Sequence, residues 1–262
     1  MKFIIASLPR SGSTAVYRVI KYFSAGKIKY EPSFFESGTD RAEVKKEALS
    51  HFGCCIGIKH VWDPNGWPFR NPQHISTLET LQHSDELVVP NKIVLGCADR
   101  VLFLRRRNSF DRTLSDLWGQ QTNIWGHNPS QPHDLEEVKK YKVMVSRHAP
   151  TRIDTEVFGW YMRNAERWED RIVSGIPKNI LKTIFYEDLF NEEGISSSEF
   201  DAWMQLGKWL GMKIDLFIPE VQSIISPDSK LNSIDVYKRI PNYKELRTEF
   251  GGNGFSDVAP AV

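Results

Sequence analysis

Residues 3–7 read FIIAS, residues 8–14 read LPRSGST, and the stretch that follows carries apolar side chains at Val16, Val19, Ile20 and Phe23. A short apolar run suits a strand buried on both faces, and the spacing after it marks one face of a helix. Strand, tight turn and helix in that order open a β-α-β unit, whose strands run parallel. The pattern recurs. KIKYE (27–31), IGIKHV (56–61), RVLFL (100–104) and LKTIFY (181–186) read as further strands after a first one at Lys2–Ala6. Helices are expected at Thr14–Phe23 and from Ser109, as its cap, with Phe110, Leu114, Leu117 and Trp118 on one face. Two more are expected at Thr155–Val173, with Val157, Trp160, Tyr161, Trp168 and Ile172 inward, and at Ser198–Leu210, with Gly211 past its end. Alternation of this kind predicts one α/β domain over residues 1–262, a three-layer sandwich around a central parallel sheet. The polar stretch 118–152 reads as a substrate lid with a short helix at 134–142. Residues after 226 read as loop with some helix.

Bulk composition removes several classes. Lys and Arg number 34 against 33 Asp and Glu, so no basic field points to nucleic acid, and any anion site must be local. The three cysteines, Cys54, Cys55 and Cys97, form neither a disulfide framework nor a C-x-x-C zinc motif. They read as free thiols in a reducing compartment, so a cytoplasmic location is expected. No run reaches the length of a membrane span. Eight Trp and fifteen Phe make either a large aromatic core or aromatic walls on a cleft.

Charge gathers where the strands should end. Arg10 follows the first, Glu31 the second, and Lys59 with His60 close the third. Arg105–Arg107 follow the fourth, and Glu187 with Asp188 the last. Ligands of open parallel sheets bind beyond this edge. Residues 9–14, PRSGST, suit an anion cradle: loop amides and a helix N-terminus, Gly12 for close approach, hydroxyls from Ser11, Ser13 and Thr14, and the forked cation of Arg10. An ATP-binding P-loop needs a lysine where Ser13 stands, which disfavours a magnesium-ATP site. A small-molecule kinase on a degenerate P-loop is the alternative, and a non-catalytic nucleotide- or RNA-binding module the third reading. LFLRRRNSFDRTLSDLW then sends three arginines out of a buried strand into a helix, with Arg107 and Ser115 able to reach past the same helix end. This suits a second phosphate, distinct from the first.

These two segments resemble the sulfotransferases that use 3′-phosphoadenosine-5′-phosphosulfate. PRSGST is similar to their 5′-phosphosulfate loop, with arginine for lysine. LRRRNSFDRTLS is similar to their 3′-phosphate motif, which assigns that phosphate to Arg107 and Ser115. FYEDL (185–189) and GIKHVWD resemble two further strand-end segments, the second carrying the lysine before the acceptor site. The likeness spreads over roughly residues 1–245 and is strongest to the bacterial branch acting on trehalose-type carbohydrates. It implies a P-loop nucleoside triphosphate hydrolase-like fold, the phosphosulfate donor as cosubstrate, no metal, and a small hydroxyl acceptor, carbohydrate or glycolipid. Arg10 and Lys59 would neutralise the leaving phosphate, and a base would take the acceptor's proton. That branch carries its base in Glu-Pro-x-Glu-Phe-Phe, whereas this chain reads EPSFFES. Glu31 is therefore the first candidate, followed by Glu36 and His60. The C-terminal glycine- and lysine-rich motif of the small-molecule branch is absent; Lys230, Lys238 or Arg239 would stand in for it, or be surface charge. HVWDPNGWPF and SDLWGQQTNIWGH would wall a sugar site or belong to the core, with Trp62 and Trp118 assigned to the core.

Overall fold

A computed structural model describes residues 1–69, 76–122, 135–190, 195–226 and 234–251. Among the described residues there are five strands, β1 (Phe3–Ser7), β2 (Ile28–Tyr30), β3 (Gly57–Val61), β4 (Arg100–Arg105) and β5 (Leu181–Phe185). They form one all-parallel sheet in the order β2-β3-β1-β4-β5. The helices run α1 (Ser13–Phe23), α2 (Arg41–Cys54), α3 (Leu78–Gln82), α4 (Val88–Gly96), α5 (Ser109–Thr122) and α6 (Leu135–Arg147). There follow α7 (Thr155–Val173), α8 (Tyr186–Leu189), α9 (Ser197–Leu210), α10 (Pro219–Ile225), α11 (Ile234–Lys238) and α12 (Tyr243–Phe250).

Side-chain alternation divides the core in two. Ile4, Ala6, Ile58, Val101 and Phe103 point to one face, which α2, α4, α5, α7 and α12 cover. Phe3, Ile5, Leu102, Leu104 and Ile184 point to the other, covered by α1, α9 and α10. The fold is thus α/β with a parallel sheet flanked by helices on both faces. Each strand side chain removed from water in this way contributes roughly 1.5–3 kcal/mol.

The helix that starts after β4 is capped by Asn108 and not by Ser109: the Asn108 Oδ1 accepts from the Asp111 amide at 3.0 Å. Trp160 is only partly buried, while Val157, Tyr161, Trp168 and Ile172 are core. Gly211 does end α9, in a left-handed conformation at φ 70°. The helix expected at 134–142 runs from Leu135 to Arg147. Of the stretch 118–152, residues 123–134 lie outside the described part.

Connectivity locates a crevice. The chain leaves β1 towards the β2 edge and leaves the adjacent β4 towards the β5 edge. Where neighbouring strands part in this way, their carboxyl ends open a cleft suited to a ligand. Arg10 and Arg105–Arg107 stand at those two ends.

Candidate anion site at the carboxyl edge of β1 and β4

The loop between β1 and α1 takes two left-handed residues, Arg10 at φ 61° and Gly12 at φ 79°. For arginine this conformation costs of order 1 kcal/mol, a strain of the kind concentrated at binding sites. The turn lifts Arg10 out of the strand and starts α1 with no side-chain cap and no acidic residue in its first turn. The amides of Ala15 and Val16 go to the Gly12 carbonyl at 3.1 and 3.4 Å. No acceptor among the described residues meets the amides of Ser11 to Thr14. Ser11 Oγ is fully buried and likewise unpartnered. A bare N-terminus with a buried orphan hydroxyl beside it is chemically complementary to an oxyanion. The close approach at Gly12 is to the ring of Tyr186: a Cβ there would overlap the ring carbon Cδ2.

Lys59 and His60 part company because adjacent strand residues face opposite sides. Lys59 is in register with Ile5 and Tyr30, on the α1 side. It is 1% exposed, and its Nζ donates to Thr14 Oγ1 at 3.0 Å, to Tyr30 OH at 3.1 Å and to Glu31 Oε1. Its ammonium also lies 4.2 Å from the centre of the Tyr30 ring. Glu31 is held in a left-handed turn at φ 37°, with its amide on the Lys59 carbonyl at 3.0 Å. Thr14, Tyr30, Lys59 and Glu31 thus belong to one neighbourhood, on the α1 side of the loop that carries Arg10.

His60 lies under the other face, among Phe34, Trp62 and Phe69. Its Nε2 donates to Asn91 Oδ1 at 2.7 Å, since the Asn91 amide nitrogen is itself committed to the Leu87 carbonyl. Burial pushes its pKa down to about 4, and Nδ1 has no partner. It is a neutral core histidine, separated from the loop by the sheet. Glu36 is exposed in the segment after β2.

The three arginines diverge. Arg105 pairs with Glu169 and Asp170 of α7 at 3.4 and 3.1 Å. Arg106 donates to the Arg10 carbonyl at 3.3 Å and lies over the Tyr186 ring. Arg107 reaches Asp188 at 2.7 Å and covers Phe185, half exposed. Glu187 accepts from the amides of Arg107 and Asn108 at 3.0 and 3.3 Å. The carboxylates of YEDL therefore brace the arginine turn, and its tyrosine packs on the loop.

Ser115 does not meet Arg107. Its Oγ accepts instead from Arg10 Nε at 2.8 Å, across 105 residues of chain. The two segments singled out in the sequence are joined directly, through Arg10. Arg239 braces α6 by donating to the carbonyls of Val145 and His148. Lys238 is exposed, and Lys230 lies outside the described residues. Trp62 and Trp118 are core, at 0% and 1% exposed.

A buried polar cluster behind Arg10 escapes the sequence reading. Helix α5 turns Arg112, Ser115, Asp116 and Gln120 inward, none more than 4% exposed. Asp63 and Tyr161 face them, joined by a 3.2 Å hydrogen bond from the tyrosine hydroxyl. Burial, and then the charge of Asp63, push Asp116 up to about 8, while Arg112 and Arg10 pull it down. Burial raises Asp63 as well. The available signal is the face that Arg112 and Ser115 share by their spacing, which Asp116 and Gln120 extend into a polar stripe. Tyr30, immediately before Glu31, is a second omission.

Two shallow grooves lie elsewhere, one of about 450 Å³ at the amino edge beside Met1 and Phe3, one of about 430 Å³ beside Phe200 and Phe217. Among the described residues no group of three or more His, Cys, Asp and Glu is arranged to hold a metal ion, and no helix is long and apolar enough to cross a membrane. No protein-family model matches the chain, and no curated protein matches it.

Proposed function

We propose that this chain is a cytoplasmic sulfotransferase that moves a sulfuryl group from 3′-phosphoadenosine-5′-phosphosulfate to a hydroxyl of a small acceptor, a carbohydrate or glycolipid. The observation that carries the reading is the 2.8 Å bond from Arg10 to Ser115. It brings the phosphosulfate-like loop and the 3′-phosphate-like motif to one crevice, as a nucleotide phosphorylated at both ribose ends requires.

The loop residues fit the donor. The free amides of Ser11 to Thr14, the orphan Ser11 hydroxyl and the Arg10 guanidinium offer donors to the 5′-anion. Arg107, half exposed above Asp188, and Ser115 are assigned to the 3′-phosphate. The donor supplies an activated sulfuryl group on its phosphate. Lys59 and Arg10 neutralise the charge that grows on the leaving oxygen, a contribution made by positioning and electrostatics. Glu31 takes the acceptor proton; Lys59 holds it at the loop. Glu36 is exposed in the segment after β2, and His60 faces the other side of the sheet from Lys59.

Calorimetry with adenosine 3′,5′-bisphosphate and ADP tests the donor. The bisphosphate is expected to bind at least tenfold tighter, and Arg107→Ala to erase the difference. Equal affinities for the two nucleotides in the unmodified protein overturn the assignment. Magnesium-dependent ATP turnover would support the small-molecule kinase instead. Incubation with labelled donor and a small-metabolite extract then identifies the acceptor from the labelled product.

A further inference from the structure

Next in sequence to Ser115, the residue that meets Arg10 of the anion loop, lies a buried acid that the mechanism above does not use. Asp116 is fully buried, yet neither of its oxygens has a hydrogen-bond partner among the described residues. The groups that face it are Arg112 on its own helix, Arg10 from the loop, Asp63 from the segment after β3 and Tyr161 from α7. Gln120 is near and also favours the anion, though its amide meets the Tyr161 hydroxyl at 3.5 Å and its carbonyl the Ser76 amide at 2.7 Å. Asp63 is better served, accepting from the Asn65 amide at 2.7 Å and from Tyr161 at 3.2 Å. Asp63, Asp116 and Glu169 therefore all draw on the guanidinium of Arg112, Arg10 adds its charge at Asp116, and Asp116 sits next to Ser115, the partner of Arg10.

We propose that the Asp63–Asp116 pair couples anion binding at the loop to uptake of a proton: ionised Asp116 competes with the ligand for the guanidinium of Arg10, and accepts a proton when the ligand claims it. Asp116 is then a positioning residue, acting through Arg10. The proton comes from solvent and resides on a carboxyl oxygen of Asp116. The direction follows from the charges. Burial and Asp63 favour the neutral acid, and Arg112 and Arg10 favour the anion. An anion on Arg10 cancels part of that second pull and adds negative charge nearby, so the bound state holds the proton more tightly. Below about pH 7 Asp116 is protonated with or without ligand, and no exchange occurs. Around pH 8, where the free protein is partly ionised, uptake appears.

The idea rests on the loop being an anion site, and not on which donor it takes. The test is calorimetry of adenosine 3′,5′-bisphosphate, and separately of inorganic sulfate, which carries no proton in this range. Each is titrated in two buffers of different ionisation enthalpy, at pH 6.5 and pH 8.5. Uptake on the order of half a proton is expected at pH 8.5 for both anions, and little at pH 6.5 for sulfate, which is the reference there because the bisphosphate exchanges its own phosphate protons at about pH 6. Asp116→Asn should abolish it. Asp63→Asn removes the charge that raises Asp116 and should move the onset to lower pH. Buffer-independent heats for the unmodified protein at pH 8.5, or undiminished uptake in Asp116→Asn, overturn the proposal. Sulfate binding with uptake, but no bisphosphate binding, would sustain it while removing the donor assignment. No binding of either anion would remove both.

Discussion

At the scale of single residues, Gly12 and His60 are the sharpest cases of what the environment demands. Gly12 is required twice, by its φ of 79° and by the ring of Tyr186. Gly12→Ala should destabilise by several kcal/mol, part steric overlap and part the left-handed penalty of roughly 1–2 kcal/mol. Tyr186→Ala in the same chain should recover the steric share and leave the conformational one. Denaturant midpoints of the two single variants and the double variant measure this; simple additivity would show that the ring is not what the glycine accommodates. His60 bears on pH. Its folded pKa of about 4 lies below the ordinary 6.5, so the unfolded chain takes up the proton first as pH falls. Its contribution is therefore complete above pH 6.5 and is lost between 6.5 and 4, about 3 kcal/mol in all. His60→Phe should flatten the stability profile over that window alone. Parallel profiles for the two proteins would contradict the buried neutral state.

At the scale of elements, α5 departs most from an ordinary surface helix. It buries residues on every side, apolar at Phe110, Leu114, Leu117 and Trp118, polar at Arg112, Ser115, Asp116 and Gln120. Its start is tied to α8 by Glu187, which holds the amides of Arg107 and Asn108. Glu187→Ala should cost about 1 kcal/mol of stability, as loss of a cap does. Because the same turn aims Arg107, it should also weaken bisphosphate binding more than ADP binding. A uniform loss for both nucleotides would mean the brace is structural only. The apolar spacing made α1, α7 and α9 legible to within a residue or two. It was weaker for α2, which buries only Val44, Ala48 and Phe52 in a charged stretch. It was weaker again for α4, where Pro90 sits in the first turn, the one place a helix tolerates it.

At the scale of the whole molecule, the C-terminal segment is part of the same folding unit. Asn242 is 3% exposed and closes a pair of bonds with the Ile153 backbone, 3.0 Å to its amide and 2.9 Å to its carbonyl. Leu246 and Phe250 of α12 join the same core as Phe158 of α7. Asn242→Ala leaves two buried backbone groups unpaired and should cost about 2–4 kcal/mol, with one cooperative transition retained. A separate early transition would show that the segment folds apart. The amino-acid order alone determined the β-α alternation, and with it a parallel sheet whose charged residues collect at one edge. It did so because strand length, apolar runs and helix spacing are local properties of the chain. It also determined that Lys59 and His60 face opposite sides, a consequence of the two-residue period. Which of them meets the loop was decided by tertiary structure, through the order of strands and the seating of α1 beside β3. The same holds for the partner of Ser115. A spacing of eight residues lets Arg107 and Ser115 reach one anion but says nothing of Arg10, whose guanidinium meets Ser115 because β1 and β4 are neighbours in the sheet, while Arg107 rests on Asp188. The pairing of Asp63 with Asp116 likewise exists only once α5 packs over the end of β3, where low polarity makes two distant acids contend for one proton.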